Sequence, residues 1–252
     1  MSSLYDENVE LYDIAFDWDV EEEVDWLLER LGDGVRTVLE PGCGSGRMLE
    51  SIAGRGVEVV GIDLSPAMLA FARRRLTRFG ERASVVEADM ADFDLGRTFD
   101  GAICPINTLL HLSPEQLAAH LERMADHLEP GARYLAQVGL VDPAGYEPFA
   151  GSHWEAERGE TRLKVDWVDE ELDDVTGRSL QRSRIEVLDG PRAGEVLEEL
   201  HEMTAWTPET WRSLIDASPF DEVATYDAGR RGERPRVGPE ATGGLLWHEL
   251  VR

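Results

Sequence analysis

The chain has 252 residues, 51 acidic side chains against 25 basic ones, and a formal net charge of −26. Its 42% of apolar residues exclude a disordered chain, and no apolar run approaches the roughly 20 residues that a membrane helix needs. The acidic balance argues against a nucleic-acid or anionic-membrane partner, because binding phosphates requires a basic patch.

Helices and short strands alternate over the first 140 residues. A helix is expected after Asp19, which can cap it, with Glu22 three residues later. The β-rich runs that follow are 36–40, 58–63, 84–87, 100–104 and 132–138. The helices between them are expected to start at Arg47, at Ser65-Pro66 and at the capping box Ser113-Pro114-Glu115-Gln116. Alternating βα units predict a doubly wound parallel sheet with helices on both faces.

The alternation ends after residue 140. Apolar and charged residues then alternate with period two at 162–167, and similar runs recur at 179–187 and 195–204 with no helix between them. These runs predict an inserted antiparallel meander. The last predicted elements are a helix that starts at Thr207-Pro208-Glu209 and strands at 222–226 and 245–251.

The predicted organisation is one domain over residues 1–252. Its parts are a helical cap (1–35), an α/β core (36–140 and 207–252) and an antiparallel β lid (141–206). Cys43 and Cys104 belong to no Cys/His cluster, so neither a disulfide framework nor a metal site is expected. The first seven residues lack the features of a signal peptide, and a cytoplasmic location is expected.

The excess of carboxylates also bears on the source of the protein. Lys164 is the only lysine, and the other basic residues are arginines. Halophilic proteins use such an acidic surface, so a salt-adapted source is expected, and the like charge favours a monomer or small homo-oligomer. The alternative is a GC-rich genome, which favours arginine codons in a merely acidic protein.

The most informative stretch is residues 38–47, which reads Val-Leu-Glu-Pro-Gly-Cys-Gly-Ser-Gly-Arg. A strand that leads through a glycine-rich turn into a helix lets a ligand approach the backbone at the helix N-terminus. A dinucleotide fingerprint would need a third glycine at position 47, where this chain has Arg47. A nicotinamide-dependent oxidoreductase is therefore disfavoured. No Gly-Lys-Ser/Thr follows, so the Walker pattern fails as well.

Glu40-Pro41-Gly42-Cys43-Gly44-Ser45-Gly46 resembles motif I of the class I S-adenosylmethionine-dependent methyltransferases. Later motifs of that family have counterparts at Gly61-Ile62-Asp63-Leu64-Ser65, Glu87-Ala88-Asp89-Met90 and Phe99-Asp100-Gly101-Ala102-Ile103-Cys104. The resemblance covers residues 36–140 and extends to the terminal hairpin. It implies a Rossmann-like, seven-stranded, mostly parallel sheet with an antiparallel C-terminal hairpin. It also implies S-adenosylmethionine as cofactor and S-adenosylhomocysteine as product.

The resemblance assigns cofactor contacts to carboxylates near the strand ends. Asp63 would accept hydrogen bonds from the ribose hydroxyls, unless it is only a solvated strand-end residue. Asp89 would accept one from the adenine amino group, with the Met90 amide beside it, or would instead cap its own loop. Glu40 would orient the glycine loop and reach the methionine ammonium.

Other cofactor contacts are implied around these carboxylates. The backbones of Gly42 and Gly44 would pack against the cofactor, since no side chain would fit there. Arg47 would meet the methionine carboxylate or remain a surface residue. Tyr12 resembles a tyrosine that closes over the methionine end in glycine N-methyltransferase-like and amino-sugar N-methyltransferase-like enzymes, and is otherwise a packing aromatic. The remaining cofactor-binding candidates are Cys43, Leu64 and Cys104.

The segment after the fourth strand supplies the catalytic candidates. His111 resembles an active-site histidine of the amino-sugar N-methyltransferases, and its side chain titrates near neutrality as a general base must. It is otherwise a cap of the helix that begins near Ser113. Asn107 would hydrogen-bond the substrate or satisfy a turn. Cys104-Pro105-Ile106-Asn107 departs from the Asn/Asp-Pro-Pro-Tyr motif of some amine methyltransferases, so adenine and glutamine amides are poor substrate candidates.

Two functional hypotheses follow from the resemblance. The first is methyl transfer by in-line displacement, in a lidded pocket, to an amine or hydroxyl of a small molecule. The second is a non-catalytic sensor or partner subunit that binds S-adenosylmethionine or S-adenosylhomocysteine, since the glycine loop and its carboxylates would look the same in both.

Overall fold

A computed structural model describes residues 4–228 and 234–252. The helices are Val9–Ala15 (α1), Glu21–Leu31 (α2), Arg47–Gly54 (α3), Pro66–Leu76 (α4), Pro114–Asp126 (α5) and Pro208–Asp216 (α6). The strands are Thr37–Pro41 (β1), Glu58–Asp63 (β2), Ala83–Glu87 (β3), Phe99–Cys104 (β4), Leu128–Gln137 (β5), Gly151–Arg158 (β6), Thr161–Leu172 (β7), Arg178–Asp189 (β8), Val196–Thr204 (β9), Asp221–Asp227 (β10), Arg236–Val237 (β11) and Leu246–Val251 (β12).

The larger sheet has the strand order β11-β10-β12-β5-β4-β1-β2-β3. The five strands β1 to β5 are parallel, and β12 runs antiparallel to both β5 and β10. The predicted α/β fold, with a mostly parallel sheet and an antiparallel C-terminal hairpin, is confirmed. In the described part of the chain this sheet has eight strands and not seven, because the two residues of β11 also pair with β10.

This strand order predicts a crevice at the ends of two central strands. The chain runs outward from β1 through β2 to β3, and then returns to β4 on the other side of β1. Connections on the two sides of such a reversal separate, and open α/β sheets bind ligands in the gap that this leaves at the carboxyl ends of the strands. The glycine-rich turn follows β1 directly. Its motif therefore lies where the topology alone would put a ligand.

Local capping signals set most helix starts. The Ser65 hydroxyl accepts from the Met68 amide, and both Ser113 and Thr207 form capping boxes. Helix α2 begins at Glu21, so Val20 and not the predicted Asp19 occupies the N-cap position. The three glutamates of its first turn already place negative charge at the positive end of the helix.

The inserted region is an antiparallel sheet of order β6-β7-β8-β9. Its last three strands confirm the predicted meander, whereas β6 and α1 were not located from the sequence. The core residues Leu163, Val165, Ile185 and Val187 have at most 2% exposure. The indole Nε1 of Trp154 donates to the Ala15 carbonyl, which ties α1 to β6.

The chain divides into two compact units. One comprises Met1–Asp19 with Pro143–Ala205, and the other Val20–Asp142 with Trp206–Arg252. The predicted cap at 1–35 is thus shared, with α1 in the first unit and α2 in the second. Whether the two units act as one domain with a lid stays a prediction. Within the described residues, no helix has the length and apolar character to span a membrane.

Candidate functional site

The glycine-rich turn is held in a shape that requires glycine. Gly42 has φ +65°, and a Cβ there would lie 2.3 Å from Cγ2 of Thr108. Gly46 has φ +78° and is the N-cap of α3. The Cys43 amide donates to the Ile62 carbonyl (3.0 Å), which joins the turn to β2. The turn therefore packs closely against neighbouring segments while following the end of β1.

The Asp63 carboxylate fixes this turn from the end of β2. Its Oδ2 accepts from the Gly44 amide and its Oδ1 from the Ser65 amide, each at 2.8 Å. Asp63 is half-buried, and the neighbouring Leu64 is 64% exposed. An exposed leucine beside an anchored carboxylate offers an apolar surface for a planar ligand group. The sequence predicted a ligand role for Asp63 but not its hydrogen bonds to the Gly44 and Ser65 amides.

Glu40 lies near the end of β1 and is only 2% exposed. Desolvation raises the pKa of its carboxyl well above the usual range, and the positive charge of Arg47 opposes this rise. The Leu49 amide hydrogen-bonds the carboxylate. Its Oε2, however, is buried without a hydrogen-bond partner among the described residues. Because buried polar atoms are nearly always satisfied, this oxygen fits a donor that a ligand brings, such as an ammonium.

Asp89 and Met90 follow β3 at the same edge of the sheet. Asp63 pairs in register with Glu87, two residues before Asp89. The Asp89 Oδ1 accepts from the Ala91 amide at 2.8 Å, so the predicted alternative of a loop cap is present for this oxygen. The Met90 carbonyl is 2.8 Å from Nδ1 of His120, a residue that sequence reasoning missed.

The two cysteines are buried thiols. Burial raises the pKa of Cys104 to about 12 and that of Cys43 well above its usual range. Neither is therefore a thiolate near neutrality, which removes both as nucleophiles. The Cys104 Sγ donates to the Pro41 carbonyl at 3.6 Å. The cofactor contacts predicted for Cys43 and Cys104 stay predictions.

The loop after β4 has an unusual backbone. Ile106 and Asn107 both have φ +58°, a left-handed conformation that is strained for a β-branched residue such as isoleucine. Two hydrogen bonds hold it: Ile106 N–H to Oε1 of the buried Gln137 (2.6 Å), and Gly139 N–H to Oδ1 of Asn107 (2.7 Å). The side-chain oxygen Oδ1 of Asn107 thus bonds the backbone, and the predicted contact of Asn107 with substrate stays a prediction.

His111 ends the short helix Thr108–His111 and is exposed. The alternative role of capping the next helix is already filled, because the Ser113 hydroxyl accepts from the Gln116 amide. Arg47 is half-buried at the start of α3. Tyr12 lies in the other unit, where its ring is 4.6 Å from that of Phe16. The roles predicted for these residues at a cofactor or substrate stay predictions.

Residues 38–131, which include most of these site residues, match the family model of a methyltransferase domain. Residues 38–131 are a methyltransferase domain. The resemblance to the class I S-adenosylmethionine-dependent methyltransferases is thereby confirmed.

Two curated relatives contain similar sequences. The chain is 31% identical over 157 residues to dTDP-3-amino-3,6-dideoxy-alpha-D-glucopyranose N,N-dimethyltransferase of Streptomyces fradiae, covering 56% of this chain and 60% of that protein. It is 43% identical over 127 residues to a ubiquinone biosynthesis O-methyltransferase of Pseudomonas paraeruginosa, covering 49% and 53%. The chain thus spans about half to three fifths of the length of these relatives.

One solved structure is similar in fold to nearly the whole chain. The S-adenosylmethionine-bound amino pentose methyltransferase CalS10 from Micromonospora echinaspora has a TM-score of 0.75 at 22% identity. The match covers 99% of both chains. At this identity the likeness establishes the Rossmann-like fold.

Proposed function

We propose that the protein transfers a methyl group from S-adenosylmethionine to an amino group of a small molecule, with amino sugars as the acceptor class. The observation that carries the cofactor assignment is the buried, unpartnered Oε2 of Glu40 beside the glycine turn. The acceptor class is supported by the names of two relatives, an amino-sugar N,N-dimethyltransferase and an amino pentose methyltransferase. The other sequence relative described above is an O-methyltransferase, so hydroxyl acceptors are the alternative to test.

Residues of the unit that comprises Val20–Asp142 and Trp206–Arg252 would hold the cofactor. Glu40 would accept from the methionine ammonium through its unpartnered oxygen. Arg47 would bind the methionine carboxylate. Asp63 would accept from the ribose hydroxyls, and Leu64 would cover the base. Asp89 would accept from the adenine amino group through Oδ2, since Oδ1 is bonded to the Ala91 amide.

When bound, S-adenosylmethionine supplies a methyl group on a sulfonium, already activated for displacement by a lone pair in line with the carbon–sulfur bond. The protein chiefly has to align the acceptor, and such positioning accounts for about 7–11 kcal/mol of barrier lowering. The acceptor amine must first lose its proton. His111 would take it, and a general base of this kind contributes roughly 10²–10⁴-fold.

The partner assignments rest on composition. A net charge of −26 supports a small-molecule acceptor over nucleic acid or an anionic membrane, and supports a monomer or small homo-oligomer. A cytoplasmic location and the use of the four-stranded unit as a lid belong to the same proposal.

Calorimetric titration with S-adenosylhomocysteine, with NAD as the comparison ligand, tests the cofactor assignment. Micromolar binding of S-adenosylhomocysteine is expected, with weaker binding in Glu40→Gln. No binding would overturn the proposal. Methyl transfer to nucleotide-linked amino sugars and to the matching hydroxy sugars then tests the acceptor. Binding without transfer to either class would support the sensor in place of the enzyme.

A further inference from the structure

His120 on α5 is a fully buried histidine whose two ring nitrogens are both hydrogen bonded. Nδ1 lies 2.8 Å from the Met90 carbonyl oxygen, and Nε2 lies 2.9 Å from the hydroxyl of Tyr134. A carbonyl oxygen only accepts, so the proton is on Nδ1, and Nε2 accepts from Tyr134. Burial lowers the pKa of His120 to about 4, which keeps the ring neutral and preserves this arrangement near neutrality.

Two hydrogen bonds fix the peptide group between Met90 and Ala91 at both of its polar ends. Its carbonyl belongs to Met90 and accepts from His120, while its N–H belongs to Ala91 and donates to Oδ1 of Asp89 at 2.8 Å. Rotation of this peptide would break both bonds. The orientation of the Asp89 carboxylate therefore depends on a peptide that His120 holds in place.

On its other side, Nε2 of His120 accepts from the hydroxyl of Tyr134, a fully buried residue of β5. This bond uses the one hydroxyl proton of Tyr134. It holds the imidazole ring in the orientation in which Nδ1 faces the Met90 carbonyl.

We propose that His120 is a positioning residue for the adenine end of the cofactor site. Its imidazole orients the Met90–Ala91 peptide, and through it the Asp89 carboxylate that would recognise the adenine amino group. The inference rests on the proposed function, because it takes Asp89 as the adenine contact. It adds a residue from outside the family's motifs that discriminates between bases without touching the ligand.

Two substitutions of the same residue separate its two hydrogen bonds. In His120→Asn, the amide nitrogen replaces Nδ1 and can still donate to Met90. In His120→Gln, the longer side chain replaces Nε2 and can still accept from Tyr134, but it does not serve Met90. Both variants lose the buried ring, so both are expected to melt at lower temperature. They differ in the bond that positions Asp89.

The deciding readout is the ratio of affinities for S-adenosylhomocysteine and S-inosylhomocysteine, which carries a carbonyl in place of the adenine amino group. Calorimetry should show this preference roughly five- to tenfold smaller in His120→Gln than in the wild type, and nearly retained in His120→Asn. A purely structural role would weaken both ligands alike. An unchanged ratio in His120→Gln would therefore overturn the inference.

Three further outcomes are informative. If His120→Gln does not fold, Tyr134→Phe takes its place, since it removes only the hydroxyl that orients the ring. A roughly two- to threefold smaller preference is expected there, and an unchanged one overturns the inference. If the wild type binds S-adenosylhomocysteine with no preference over the inosyl analogue, the inference fails while the cofactor assignment stands. If it binds neither, both fail.

Discussion

Replacing Asp63 with asparagine separates two roles of one carboxylate, anchoring the glycine turn and binding ribose. Asparagine keeps one acceptor oxygen, so one of the 2.8 Å bonds from the Gly44 and Ser65 amides is replaced by an NH₂ group facing an N–H. Hydrogen bonds to charged groups contribute about 1.5–3 kcal/mol, and half-burial places this one near the lower end. At roughly 1.5 kcal/mol, the melting temperature should fall by about 3–6 °C.

The same substitution should weaken S-adenosylhomocysteine binding by roughly ten- to a hundredfold, because the ribose hydroxyls lose their ionised acceptor as well. Melting without ligand and calorimetry with it measure the two effects separately. Glu87→Gln is the matched control, since Glu87 is exposed, lies opposite Asp63 in the strand register and undergoes the same change of charge. A normal melting temperature in Asp63→Asn, with weakened binding, would refute the anchoring argument.

Four further outcomes are expected. Burial raises the pKa of Glu40, and a bound ammonium favours its ionised form, so calorimetric affinity for S-adenosylhomocysteine should increase with pH, and Glu40→Gln should abolish this dependence. Gly42→Ala should lower the melting temperature and the affinity far more than Gly34→Ala, because both positions have positive φ but only Gly42 is crowded, by Thr108; equal losses would show that the crowding is unimportant. The pKa of His120 falls from 6.5 to about 4 on folding, so unfolding titrations should show up to about 3 kcal/mol of stability lost as pH falls through that range, and less in His120→Gln. Finally, the melting temperature should rise from low to molar salt, since screening relieves repulsion at a net charge of −26, and a flat curve would contradict this.

The elements that sequence predicted well are those with local signals. Ser65 and Ser113 cap helices through hydrogen bonds that close within three residues, and the sequence contains both partners. β6 was missed because Gly151–Arg158 mixes small, charged and aromatic residues without an apolar face. Its position depends on pairing with β7, which a local pattern does not reveal.

In the candidate site, too, local features were predictable from the sequence and contacts between distant segments were not. Glu40, Asp63 and Asp89 became candidates through the family resemblance, whose motifs place each carboxylate near the end of a strand that the sequence marks. Their hydrogen-bond partners depend on strand register and on packing between distant segments. His120 illustrates the limit, since its partner Met90 lies 30 residues away and the helix around it shows only a histidine within an apolar stripe.

The charges of the site also bear on which ligand the glycine turn accepts. Burial is the main cause that raises the pKa of Glu40 and of the Cys43 thiol, and carboxylate charge adds to both rises, from Asp63 at Glu40 and from Glu40 and Asp63 at Cys43. These carboxylates give the turn a negative potential. A pyrophosphate would bring further negative charge to it, with Arg47 as the nearby counter-charge. A ligand with an ammonium and a sulfonium would instead relieve the repulsion between the two carboxylates. Electrostatics therefore disfavours a dinucleotide independently of the missing third glycine, and favours a cationic adenosyl ligand.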